Sequence, residues 1–247
     1  MRRVFLDVGA NFGQTIEVAL DPRYAFDKVY AFEPAAACLR ILDRFRDPRL
    51  VIEPFGIGAS TGSADLFEPG TLAGSIYQGV GVPAEVERIE IRDAAAWLTE
   101  HITADDEVWA KLNCEGAEAD IIERLHETGQ LGLLDHLLLS LDIERFPEQA
   151  SRGRQVLALL DQAGVDYARR EDLDYLVRNW LKPIAETDRS ATARWRYWSG
   201  AHLRTDRRIR RAIRSLIGDR VYNAVAGRFG PSRHGLEARA RSAARRA

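Results

Sequence analysis

The chain has 247 residues, 35 Lys and Arg against 37 Asp and Glu for a net charge of -2, and 46% hydrophobic residues. That length can bury a sizeable core, and no run of 18 apolar residues offers a membrane-spanning helix. Two cysteines, Cys38 and Cys114, are too few for a disulfide framework or a zinc site, and they predict a reducing, cytoplasmic setting.

Residues 1–3 lead straight into an apolar strand, which predicts no signal peptide. That strand, Phe5-Leu6-Asp7-Val8, runs into Gly9-Ala10-Asn11-Phe12-Gly13, and a helix opens at Gln14-Thr15. Gly9 and Gly13 let the backbone turn sharply and approach a ligand, and the first amides of the helix point into the same crevice. A small molecule at the carboxyl end of a first strand is the expectation for an open α/β sheet. A second apolar run, 29–32, ends in Glu33-Pro34. An acid at that tip accepts the two hydroxyls of a ribose. Asn11 stands where a dinucleotide fingerprint has its middle glycine, the residue that admits a pyrophosphate. The pattern therefore favours S-adenosylmethionine over NAD, with Asp7, Gly9, Asn11, Gly13, Thr15, Glu33 and Pro34 around it.

Residues 35–44 form a second predicted helix, and 50–55 a third strand followed by Gly56 and Ile57, which border the adenine or form a plain turn. Residues 63–67 and 87–91 read as short strands, 94–98 as a helix, and 70–75 as a glycine-rich, mobile loop near the acceptor. A fourth core strand spans 107–112 with Asn113 to Glu118 at its tip. A helix covers 119–127, and a fifth strand, 136–141, ends at Asp142-Ile143-Glu144. An amphipathic helix over 154–163 stops at Gly164, and 165–168 with 194–198 are expected to close the sheet as an antiparallel pair.

Three separated blocks now stand in order: residues 5–13, Ala31-Phe32-Glu33-Pro34, and Lys111-Leu112-Asn113-Cys114-Glu115-Gly116-Ala117-Glu118. Together they resemble the signatures of FkbM-type methyltransferases over roughly residues 3 to 145, with Asn113 and Cys114 where that family usually has Asp and Val. The resemblance implies a Rossmann-like class I methyltransferase fold, a doubly wound, mostly parallel sheet with an antiparallel last strand. It also implies O-methyl transfer from S-adenosyl-L-methionine to a sugar or other natural-product hydroxyl, with Asn113 beside the cofactor.

Such a transfer needs an oxygen nucleophile held in line and relieved of its proton. The strand tips beside the donor carry Glu115 and Glu118, then Asp142 and Glu144. In one reading Glu115 or Asp142 is the general base. In the other, Glu115, Asp142 and Glu144 hold Mg2+, which lowers the pKa of the acceptor oxygens. Glu118 also suits a helix-start acid meeting the dipole. The five histidines read as surface or packing residues, and Cys114 as packing. Trp180, Trp195, Tyr197 and Trp198 form either an acceptor platform or the closure of the late strands.

The tail reads as a separate unit, 204–247, beside a catalytic domain over 1–203. From Leu203 onward thirteen arginines face Asp206, Asp219 and Glu237. Its apolar stripe at helical spacing offers a partner, membrane-surface or homodimer face. The acidic remainder argues against a phosphate-tracking groove, and residues 113–116 lack the proline pair of base-amino methylases. A nucleic-acid methyltransferase and a non-catalytic S-adenosylmethionine-binding or assembly protein are the alternatives to a small-molecule or saccharide O-methyltransferase.

Overall fold

The computed structural model describes residues 2–78, 85–146, 148–169, 177, 180 and 181. Arg3–Val8 (β1), Lys28–Phe32 (β2), Leu50–Glu53 (β3), Glu107–Leu112 (β7), His136–Leu139 (β8) and Asp166–Arg169 (β9) form one sheet. Its order is β3-β2-β1-β7-β8-β9. Apolar side chains alternate along β1, so the sheet has two faces to bury. Val4, Leu6 and Val8 pack in one cluster with Trp97, Ile122, Leu125, Val156 and Leu160. Those residues come from Ala94–His101 (α3), Glu118–Glu127 (α4) and Ala150–Ala163 (α5). Phe5, Val29, Trp109 and Leu138 point to the other face, where Gln14–Ala19 (α1) and Ala36–Leu42 (α2) supply Ile16, Ala19 and Leu42.

This is a doubly wound, Rossmann-like arrangement, with helices on both faces and its switch point between β1 and β7. Gly56–Gly58 (β4), Gly62–Phe67 (β5) and Val86–Asp93 (β6) build a second, three-stranded sheet, in the order β4-β6-β5. It stands where the sequence predicts two isolated short strands and, at Gly56 and Ile57, a plain turn or neighbours of the adenine; the turn is instead a strand paired with β6.

Residues 165–168, expected to pair antiparallel with 194–198, lie largely in β9, which runs parallel to β8, with His136 opposite Asp166 and Leu139 opposite Arg169. Helix α5 lies between the two strands and returns the chain to the same end of the sheet, as a parallel crossover requires. The other expected member, 194–198, lies outside the described residues, as does the whole arginine-rich tail. Trp180 is not an acceptor platform. It is buried edge-on to Phe5 and Trp109, at 6.2 and 5.0 Å between ring centroids. Trp195, Tyr197 and Trp198 are outside the described residues. His136 is a packing residue as expected, stacked on Trp109 at 3.8 Å with its Nδ1 2.9 Å from Asp166. No helix among the described residues is long and apolar enough to cross a membrane.

Candidate ligand cavity at the switch point

The ends of β1, β2, β7 and β8 enclose a cavity of about 390 Å³, a size typical of small-molecule sites. β1 and β7 are neighbours in the sheet, yet the chain leaves them toward opposite faces, and the gap between their exits is the crevice.

The turn after β1 is fixed by backbone bonds before any ligand is considered. The amides of Gly9 and Ala10 both donate to the Phe32 carbonyl, at 3.1 and 3.0 Å. Asn11 follows in the left-handed region, φ 48°, a conformation in which Asn is among the best tolerated non-glycine residues. Its amide donates to Glu33 Oε2 at 2.8 Å, and the Ala35 amide donates to Glu33 Oε1 at 2.9 Å. Glu33 is thus locked at the tip of β2 by both neighbouring turns. Burial raises its pKa against the pull of those two amides. Each carboxylate oxygen can accept a second hydrogen bond from the cavity side, the geometry that a pair of vicinal hydroxyls needs.

Gly9, Asn11, Thr15, Glu33, Pro34, Gly56, Ile57 and Asn113 all line the cavity. Asp7 and Gly13 do not line it. Gly13, at φ 85°, is the N-cap of α1, and a Cβ there would come within 2.4 Å of the Phe45 ring. Its role is to let α1 pack against the end of α2, not to touch a ligand. Asp7 is fully buried beneath the turn and lies 3.0 Å from Lys111 Nζ. Neither Asp7 oxygen has a partner in hydrogen-bond geometry, so the contact is an ion pair only. Burial raises the Asp7 pKa, and Lys111 opposes that shift.

At the tip of β7 the chain turns through Asn113–Glu115, with Glu115 half-buried at φ 53° and facing the cavity. A non-glycine residue held in the left-handed region costs on the order of 1 kcal/mol and persists where its surroundings fix it. The fixing group is Glu118, at the start of α4. Its carboxylate accepts from the Cys114 amide at 2.7 Å and the Gly116 amide at 2.9 Å. The helix-start reading of Glu118 is therefore the structural one, extended to stapling the whole turn. From the other side, Ser75 donates to the Glu115 carbonyl at 2.6 Å, and Asn11 Nδ2 donates to the Thr71 carbonyl at 2.9 Å. These two bonds tie the glycine-rich loop, which lines the cavity, to the turns after β1 and β7.

Burial first, and then nearby Asp142, push the Glu118 carboxyl up from 4.5 to about 7. The native state therefore keeps this proton where the unfolded chain has lost it. Its stabilisation is complete below pH 4.5 and is lost as pH rises through about 7. A shift of that size corresponds to on the order of 3 kcal/mol. Urea unfolding of the Glu118→Gln variant should show a smaller fall in stability between pH 5 and 7.5 than the parent. Equal falls would mean that Glu118 ionises normally.

The tip of β8 separates the remaining acids. Ser140 lines the cavity, is almost fully buried, and donates to Asp142 Oδ2 at 2.7 Å. Asp142 itself is not on the cavity wall. It lies in the 3-10 turn Asp142–Arg145, so Ser140 stands between it and any ligand. Glu144 is exposed, 3.7 Å from Arg169, with its carboxylate against Gly153 of α5. The Mg2+ arrangement expected from Glu115, Asp142 and Glu144 is thus corrected. The 3-10 turn swings Glu144 toward α5, and among the described residues no group of three His, Cys, Asp or Glu could hold a metal ion.

Several wall residues escape a reading of the sequence. Leu66 from β5, Ile89 and Ile91 from β6 and Ile76 from the loop form an apolar wall. Their alternation with charged residues announces a buried face but not what it covers. Ser140 carries no sequence signal. Lys111 does carry one, a charge inside the apolar strand Glu-Val-Trp-Ala-Lys-Leu, which has to find a counter-ion.

Fold and site together define a doubly wound α/β protein with a ligand cavity at its switch point. A scan against protein-family models matches none, and a search of curated proteins finds no match. Among solved structures the chain is similar to the methyltransferase FkbM from Methylobacillus flagellatus KT. The identity is 18%, over 51% of this chain and 29% of that one, with a TM-score of 0.33. The chain thus spans less than a third of that protein's length.

Proposed function

We propose that this chain is an S-adenosylmethionine-dependent O-methyltransferase acting on a hydroxyl of a small molecule, most plainly a sugar or saccharide. The observation that carries the reading is Glu33. Its buried carboxylate is presented to the cavity at the tip of β2, beside a first turn that has Asn11 in place of the glycine a pyrophosphate requires. The apolar wall of Ile57, Leu66, Ile89 and Ile91 suits the face of a purine. Bound S-adenosylmethionine supplies a methyl group already activated by its sulfonium.

The residues of the chain then have two tasks. Gly9, Asn11, Thr15, Glu33 and Asn113 hold the nucleoside, and Glu115 and Ser140 face the part of the cavity left for the acceptor. Glu115 can take the hydroxyl proton directly. Alternatively, the Ser140 hydroxyl, which donates to Asp142, accepts the acceptor's hydrogen bond and passes the proton to that carboxylate. Asp142 thus works through Ser140, and Glu144 has no part. The arginine-rich tail, 204–247, belongs to this proposal only as an appendage and as a face for a second copy.

Calorimetry tests the cofactor. S-adenosylhomocysteine should bind with a Kd in the ~micromolar range, and NADH should give no heat. A signal from NADH alone would reverse the reading.

A further inference from the structure

We propose that Lys111 holds the carboxylate of the cofactor's amino-acid arm, an assignment that rests on the S-adenosylmethionine reading above. Lys111 is nine-tenths buried, yet it forms part of the cavity wall. Its Nζ donates to the Gly9 carbonyl at 2.6 Å and lies 3.0 Å from Asp7 Oδ1. An ammonium carries three N–H donors; the Gly9 carbonyl takes one and Asp7 is met as an ion pair, so donor capacity remains for a ligand. Among the described wall residues Lys111 is the one basic side chain, while Glu33 and Glu115 are acids.

An anion entering a low-dielectric cavity must meet a cation or lose its hydration without return. The carboxylate is the only anionic group of S-adenosylmethionine. Glu33 at the second strand tip and Glu115 beyond Asn113 both repel it, and Lys111 attracts it. Charge alone therefore sets the direction in which the cofactor lies, ribose at Glu33 and amino-acid arm at Lys111. The Gly9 carbonyl holds the lysine in place before binding, and Asp7 beneath it pairs with the ammonium. Both reduce the reorganisation that binding needs.

A lysine that serves only to neutralise Asp7 would behave differently, and two ligands separate the cases. S-adenosylhomocysteine has the amino-acid arm, whereas 5′-methylthioadenosine has the same nucleoside and thioether without it. Calorimetry on the full chain should show that Lys111→Met weakens S-adenosylhomocysteine about 10- to 100-fold, as loss of a charge-assisted bond implies. 5′-Methylthioadenosine should change by less than about threefold on the same scale. Lys111→Met leaves Asp7 as an uncompensated buried charge, so the Asp7→Asn/Lys111→Met double variant, which buries no charge at either position, is measured beside it. The same selective loss is expected there. Equal weakening of both ligands in the double variant, or no weakening of either, overturns the assignment while leaving the cofactor reading intact. If the parent protein binds neither ligand, the cofactor reading fails and this assignment with it.

Discussion

Replacing Gly9 by alanine is expected to lower the unfolding free energy by about 3 kcal/mol or more, the scale of strained, overpacked positions. Two costs combine. Gly9 has φ 77°, and a Cβ there would fall 2.0 Å from the Asn113 carbonyl oxygen. The colliding atom is backbone, on the turn that leaves β7, so neither side can swing away. Gly129 provides the control. It has φ 72°, and a Cβ there would meet nothing within 4 Å, so Gly129→Ala should show the backbone cost alone, about 1 kcal/mol. Urea unfolding of both variants measures the difference. Equal losses would mean that the two turns do not approach as closely as the cavity requires. The close approach matters for function because it is what brings Glu33 and Asn113 to one crevice.

Glu33→Gln should weaken S-adenosylhomocysteine about 100-fold or more, because hydrogen bonds to a buried carboxylate contribute roughly 1.5–3 kcal/mol each and two are involved. The variant also places an amide NH2 against the N–H of Asn11 or Ala35, which now donate to the two carboxylate oxygens at 2.8 and 2.9 Å. The first turn would have to shift, so the nucleoside would lose both its acceptor and its cradle. Calorimetry reads the affinity, and thermal unfolding without ligand reads the damage to the turn. An unchanged affinity would take Glu33 away from the ribose and remove the main support for a nucleoside in this cavity.

The cofactor half of the cavity was largely legible because its residues are adjacent in sequence. The run from Gly9 to Thr15 is one turn, and Glu33-Pro34 is the end of the next strand, so a fold class and a periodicity suffice to place them. Gly13 shows the limit of that reasoning. A glycine in a ligand-binding turn is equally explained by a neighbour that needs the space, here Phe45 and Leu42. The acceptor half was less legible. Asp142 and Glu144 are two residues apart at a strand end, a spacing that puts both on one face only if the strand continues. It ends at Leu139, and the 3-10 turn that follows points Glu144 away from the cavity and leaves Ser140 as the group Asp142 bonds.

Sequence by itself determined the alternation of core strands and helices, the acid at the tip of β2 and the glycine turn before it. Those follow from local periodicity and from backbone conformations that few residues can adopt. Tertiary structure alone decided the parallel sense of β9, the apolar wall built by the second sheet, the tie of the glycine-rich loop to Asn11 and Glu115, and the pairing of Asp7 with Lys111. Each of these depends on contacts between segments from about 30 to more than 100 residues apart. Such contacts are selected by burial and charge compensation across the whole core, and no local pattern encodes which partner satisfies them.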